Sequence, residues 1–439
     1  TFKGNLSFFE SKKIEYGFFL SILSAQSFGQ VWEDDLLKTN PNASVFEKFT
    51  AFKEHKAIFP YTKGNGFKPY ARNMDFILKR INDNSSFNPN SLYIEWKKQK
   101  QIHQKNGVKS LSNWIAKGPI NTPIILYNNK KRGNGRVNCI AFDPVDPNII
   151  WVGSPAGGLW KSSDGGNNWT TNTDNLPVMG VSHIAVDPNN TQIMYIVTGD
   201  AMASDTYSIG VLKSTDGGTT WNTTGLSFSV DQQQTVNKII IHPNYSDSLY
   251  AVTNSNIRIS ADGGNNWQIV GSIGRWRDIE FKPDNPRVLY AAKQSSGNSQ
   301  IFRSTDGGAN WANISSGMLS SRYRPLIAVT PENPNVIYAL FSAADYGYHG
   351  LYKSTDAGDS WVLQSNTPNI LGRETDGNGT GGQSWYDLSL GVAPNNENLV
   401  YVGGINLWRS DDGGVNWDVD GSSGNSNNYS YMDVDQHAL

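Results

Sequence analysis

The stretch Ser214-Thr215-Asp216-Gly217-Gly218-Thr219-Thr220-Trp221 decides the fold, because the chain writes its pattern, Ser-x-Asp-x-Gly-x-[Asn/Thr/Ser]-Trp, six times. The other copies run Ser162–Trp169, Ser260–Trp267, Ser304–Trp311, Ser354–Trp361 and Ser410–Trp417. The aspartates Asp164, Asp216, Asp262, Asp306, Asp356 and Asp412 stand 52, 46, 44, 50 and 56 residues apart. Self-similarity at such a period marks one supersecondary unit repeated along the chain.

Each copy is preceded by a β-rich run, a Pro/Asn turn and a second β-rich run, as in VSHIAVDPNNTQIMYIVTG and RDIEFKPDNPRVLYAAK. A third strand ending in Lys/Arg-Ser leads into the box, and the box tryptophan opens a fourth. One four-stranded antiparallel meander per repeat, arranged radially, makes an all-β β-propeller. The reading predicts six complete blades over residues 111–439 and the start of a seventh in YSYMDVDQHAL. It therefore takes the chain as a fragment of a longer protein.

The box has a local physical account. An aspartate at a hairpin corner accepts the backbone N–H groups that the turn leaves free, and the Gly-Gly pair supplies positive φ. The tryptophans Trp169, Trp221, Trp267, Trp311, Trp361 and Trp417 then bury large apolar faces between blades. The most repeated aspartates are accordingly expected to be scaffold.

Composition agrees with short strands and tight turns: 43 glycines, 14 tryptophans and 19 tyrosines beside a single cysteine, Cys139, which excludes an internal disulfide and a multi-cysteine metal site. The net charge of −2 hides two unlike segments. Residues 1 to 132 hold 21 basic and 10 acidic side chains, a net of +11, and the rest holds 16 and 29, a net of −13. An acidic propeller argues against nucleic acid as partner. Residues 1–30, with Lys12, Lys13 and the apolar GFFLSILSA, read as a signal peptide, which predicts a secreted or cell-surface protein. No apolar run is long enough to span a bilayer. Residues 31–110 read as a helical and loop leader segment.

The six corners resemble Asp-boxes, or BNR repeats, of bacterial sialidases, xyloglucanase-type glycoside hydrolases and sortilin/VPS10-like receptor propellers. Stretches such as TGDAMASDTYSIGVLKSTDGGTTW also resemble secreted bacterial proteins with sortilin-type repeats, commonly exported by type IX secretion. The resemblance is specific for fold and poor for activity, since these families share the box and differ in chemistry. Xyloglucanase-like enzymes carry a catalytic carboxylate just before a Gly-Gly-x-aromatic of the first blade; here GSPAGGLW puts Pro155 at that place. A sialidase-like site implies an arginine triad, and the nearest text, Arg322-Tyr323-Arg324-Pro325, comes a blade too late.

Strand order places the boxes and the Pro/Asn turns at one end of each blade, which leaves recognition to the loops of the other face. There the reading sets Asp205, Tyr207, Trp276, Arg322, Tyr346, His349, Trp385, Tyr386 and His437 as ligand-binding residues. Asp200, Asp387 and Asp433 are the carboxylates for a hydrolytic pair, which needs about 5 Å between carboxyls for retention or about 6.5–9.5 Å for inversion. Asp433-x-Asp435-x-His437 has metal-like spacing but is read as alternation along a strand, and neither metal nor cofactor is expected. Serine-nucleophile elbows, phosphate loops and His-Glu-x-x-His are missing from the sequence. The main reading is a non-catalytic recognition propeller for an extracellular glycan or protein; the alternative is an extracellular glycoside hydrolase.

Overall fold

A computed structural model describes residues 31–59, 67–78, 81, 94–95, 97–99, 101–102, 124–125, 130–131, 135–202, 206–423, 429–432 and 436–438. The chain divides into two compact units, Thr1–Ser110 and Leu111–Leu439. The expected signal peptide, residues 1–30, lies outside the described residues.

The first unit contains α1 (Val31–Thr39), α2 (Val45–Ile58) and α3 (Phe67–Leu78). Ser44 starts α2 with a reciprocal cap: its hydroxyl accepts the Glu47 N–H while the Glu47 carboxylate takes the Ser44 N–H. Trp32, Phe52, Phe67, Tyr70 and Met74 form a small core of their own, with Trp32 in ring contact with Phe52, Phe67 and Tyr70 at 5.1–5.4 Å. No helix among the described residues is long and apolar enough to cross a membrane.

The second unit holds six antiparallel four-stranded sheets in which strand order follows sequence order. Blade 1 begins with Cys139–Phe142, blade 2 with Val181–Val186, blade 3 with Val236–His242, blade 4 with Arg275–Lys282, blade 5 with Pro325–Val329 and blade 6 with Ser389–Ala393. First strands of successive blades touch, so they form the inner wall. The expected start of a seventh blade is not seen: Ser430–Tyr431 instead adds in parallel to the outer strand of blade 6, Asp418–Ser422.

Five apolar clusters fill the five seams between consecutive blades, and each takes in the box tryptophan of the later blade: Trp221, Trp267, Trp311, Trp361 and Trp417. Trp169 of blade 1 belongs to none of these clusters and is 37% exposed. Burial of the indole therefore depends on the neighbouring blade and is not supplied by the box alone.

The corner geometry repeats closely. In all six boxes the serine hydroxyl donates to the aspartate at 2.7–2.9 Å and accepts the N–H of the residue four positions on at 2.8–2.9 Å. The aspartate also receives the backbone N–H four residues later at 2.8–2.9 Å. These donors hold Asp216, Asp262, Asp306 and Asp356 down at about 2, the usual effect of N–H and O–H groups aimed at the ionised form. The next backbone N–H donates to the first turn of the same blade, for example Gly217 N to Gln192 O at 3.0 Å and Gly413 N to Asn398 O at 2.8 Å. Boxes and Pro/Asn turns thus share one end of each blade, and the remaining loops lie at the other.

Candidate functional site at the propeller axis

The inner strands of blades 2, 3 and 4 each slip register near the loop face, between Val181 and His183, Val236 and Lys238, and Trp276 and Asp278. The unpaired residues are Ser182, Asn237 and Arg277. A bulge of this kind re-aims the extra side chain out of the strand alternation. Ser182 Oγ accepts the Ala201 N–H at 2.9 Å, and Arg277 Nη1 donates to Ala201 O at 3.2 Å. Blades 2 and 4 thereby meet across the axis.

Asp200 lies at the centre with no solvent exposure. Its Oδ2 is 2.5 Å from Arg136 Nη2, and its Oδ1 accepts from Asn138 Nδ2 at 3.3 Å and from the Met202 N–H at 3.0 Å. The Arg136 guanidinium carbon stands 4.8 Å from the Tyr386 ring centroid, and Tyr386 meets the His437 ring edge-on at 4.7 Å. Arg324 from blade 5 donates through Nη1 to Ser384 O at 2.7 Å, with Nη2 against Met202 Sδ. Asp387, 1% exposed, acts on Arg324 electrostatically. Residues from blades 1, 2, 4, 5 and 6 share this cluster.

Burial and like charge set its protonation. The Arg277 guanidinium is pushed well below the ordinary arginine range, first by desolvation and then by Arg324 and Arg275. Arg324 falls to about 10 through burial and Arg275, with Asp387 and Asp278 opposing. His437 falls to about 4 through burial and the nearby Arg136 and Arg324, so it is neutral at pH 7.

An aromatic rim borders the cluster. Trp385 is 49% and Tyr346 47% exposed. Tyr346 holds a left-handed backbone, φ 66°, and its carbonyl accepts the Ser384 N–H at 3.3 Å, which links both rings to the carbonyl that Arg324 grips. A non-glycine residue kept at positive φ costs about 1–3 kcal/mol and marks a position held by its surroundings.

The expected residues divide. Asp200, Tyr386, Asp387 and His437 come together at the axis, and Tyr346 and Trp385 at its rim. Tyr207 is half-buried on the same face. Asp205, Asp433 and Asp435 lie outside the described residues. Three expectations are corrected. Trp276 is fully buried in the seam between blades 3 and 4, its ring 5.0 Å from Phe302 and its Nε1 donating to Ser272 O, so it packs and cannot stack on a ligand. Arg322 spends its guanidinium on Ser299 O, Met318 O, Leu319 O and Asn298 Oδ1, bracing the connection into blade 5. His349 donates to or accepts nothing at the axis: Nε2 contacts Ser320 O at 2.8 Å and the ring packs by Phe341 and Tyr352.

Arg136 and Arg277 were not legible as site residues. For Arg277 the usable signal was the RWRD string, in which a bulge selects the second arginine over the tryptophan beside it. Two clefts, of about 160 and 300 Å³, take in box residues such as Gly218 and Trp311 beside other strand and turn residues, and neither is lined by a carboxylate.

No family model matches the chain. Among curated proteins, it is 24% identical over 328 residues to a xyloglucanase of Paenibacillus sp., covering 65% of this chain and 31% of that protein. To a xyloglucanase of Acetivibrio thermocellus it is 24% identical over 330 residues, 65% of this chain and 38% of the relative. The propeller is a distant relative of xyloglucanases. It spans about a third of the length of these relatives. The fold is also that of the solved GH74 xyloglucanase from Xanthomonas campestris, with TM-score 0.51, 19% identity, and coverage of 65% of this chain and 45% of that one.

Proposed function

We propose that this propeller binds an extracellular polysaccharide on its loop face and serves as part of a glycoside hydrolase related to xyloglucanases. The observation that carries this reading is the exposed Tyr346–Trp385 rim beside a buried axial cluster holding Asp200 and Asp387. Exposed rings stack on the apolar faces of pyranoses, while convergent polar groups fix hydroxyls. The similarity to xyloglucanases supports a β-glucan backbone as ligand. Within this reading the repeated corners are Asp-boxes in a scaffold role, and the protein is exported through an N-terminal signal.

The test is isothermal titration with xyloglucan oligosaccharides together with assay of released reducing ends. Trp385→Ala and Tyr346→Ala are expected to weaken binding about 10-fold each. Absence of oligosaccharide binding by the unaltered protein at millimolar concentration defeats the reading.

A second reading, recognition without turnover, is favoured by one observation: both Asp200 oxygens are engaged by Arg136, Asn138 and the Met202 N–H, an arrangement suited to an anchor rather than to proton transfer. Binding with no release of reducing ends, unchanged by Asp387→Asn, selects it.

A further inference from the structure

Arg277 and Arg324 are an unusual pair. They are 8% and 3% exposed, come from neighbouring blades, and lie against the consecutive residues Ala201 and Met202. Their hydrogen bonds go to neutral acceptors: Gln294 Oε1 at 2.5 Å and Ala201 O for Arg277, Ser384 O and Met202 Sδ for Arg324. Among the described residues neither makes a salt bridge, although nearby Arg136 pairs with Asp200 and Lys238 with both Asp278 and Glu280. Arg275 adds a third positive charge close by. Among the described residues, Arg324 Nε, Ser384 Oγ and both ring nitrogens of His437 are buried without a hydrogen-bond partner.

A buried cation without a counter-charge is costly, and two side by side repel as well. Such a pair is tolerated where an anion completes it, and guanidinium forks match the geometry of a carboxylate. The carboxylates already present fill that role only in part. Asp200 is committed to Arg136 and Asp278 to Lys238; Asp387 acts on Arg324, and among the described residues no acid is placed beside Arg277. The rim rings Tyr346 and Trp385 connect to Arg324 through Ser384, so a sugar stacked on the rim can direct a carboxylate toward the pair.

We propose that Arg277 and Arg324 form an anion subsite at the propeller axis that takes the carboxylate of an acidic sugar residue. The protein then prefers glycans bearing uronic acid over neutral ones. This goes beyond the polysaccharide-binding reading, which is indifferent to ligand charge.

The experiment titrates the full chain with trigalacturonate, with a neutral trisaccharide, and with sodium acetate and sodium sulfate. Trigalacturonate is expected to bind at least about 10-fold more tightly than the neutral sugar or acetate, the scale of a charge-assisted pair. Arg277→Gln is expected to bring the affinity for trigalacturonate down to that of the neutral sugar on the same protein, with the melting temperature without ligand unchanged or raised. Equal affinity for acidic and neutral sugars in the unaltered protein overturns the proposal. So does an Arg277→Gln protein that retains the preference. Sulfate binding as tightly as trigalacturonate overturns the sugar assignment and makes the site one for free anions. Should Arg277→Gln fail to fold, Arg324→Gln and the ligand series on the unaltered chain decide the same question. If no sugar binds but sulfate does, the polysaccharide reading fails and the anion site stands.

Discussion

Replacing Asp200 by asparagine separates an anchoring role from a catalytic one. The substitution keeps the size of the side chain but removes the charge that faces Arg136. If the amide oxygen stays toward Asn138 and the Met202 N–H, its NH₂ group opposes Arg136 Nη2 at a position where the carboxylate stood 2.5 Å away. If the amide flips, the two other donors lose their acceptor. Breaking a buried pair by removing one partner costs about 3–5 kcal/mol. The Arg136 side chain keeps 11% exposure and lies over Tyr386, so water and the ring take up part of the stranded charge. The low end, about 3 kcal/mol, is expected. With unfolding entropy near 2.1 cal/mol/K per residue, a unit of about 330 residues loses roughly 4 °C in melting temperature. Differential scanning calorimetry measures this, and a cycle with Arg136→Gln should show the two losses to be strongly non-additive. An Asp200→Asn protein that melts within 1 °C of the parent yet no longer cleaves xyloglucan would refute the anchoring argument.

Trp276→Ala should cost about 3–5 kcal/mol in a denaturant titration through the cavity it opens in the seam, with sugar affinity unchanged in whatever fraction stays folded. Ala357 occupies the left-handed position that glycine fills in the other five boxes, at φ 60°, so Ala357→Gly should leave stability level or raise it by up to about 1 kcal/mol. Gly414→Ala should destabilise the protein more than Gly317→Ala, because a new Cβ at Gly414 falls 2.3 Å from Leu351 Cδ2 whereas Gly317 faces open space at a similar φ. Acid should unfold the propeller between about pH 4 and pH 2: the box aspartates titrate lower folded than unfolded, so their contribution is present above the unfolded value and lost as pH falls through about 2. Circular dichroism against pH checks this, and unchanged signal down to pH 2 contradicts it.

Much of the fold could be read along the chain. The contacts of the box run from one residue to the fourth beyond it, as Ser260 Oγ to Gly264 N or Asn266 N to Asp262 Oδ1, so residue types at fixed offsets suffice to specify them. The box tryptophans are expected to bury their faces between blades, and the exposure of Trp169 shows that the box by itself does not supply that burial. The loop face was legible because strand order dictates which turns share an end. Within that face, the reading picked Trp276 where Arg277 reaches the axis and Arg322 where Arg324 does. A strand pattern assigns alternate residues to alternate faces, and a bulge between Trp276 and Asp278 breaks that rule, so the RWRD string offers the arginine but not which way it points.

The sequence by itself determined the repeating meander, its corners and which turns share an end, since these follow from hydrogen bonds and strand order within a single repeat. Only the tertiary structure decided that Arg136, Asp200, Arg277, Arg324, Tyr386 and His437 meet. Their juxtaposition depends on the radial arrangement of blades far apart in the chain, and their charge state depends on how much water that arrangement excludes.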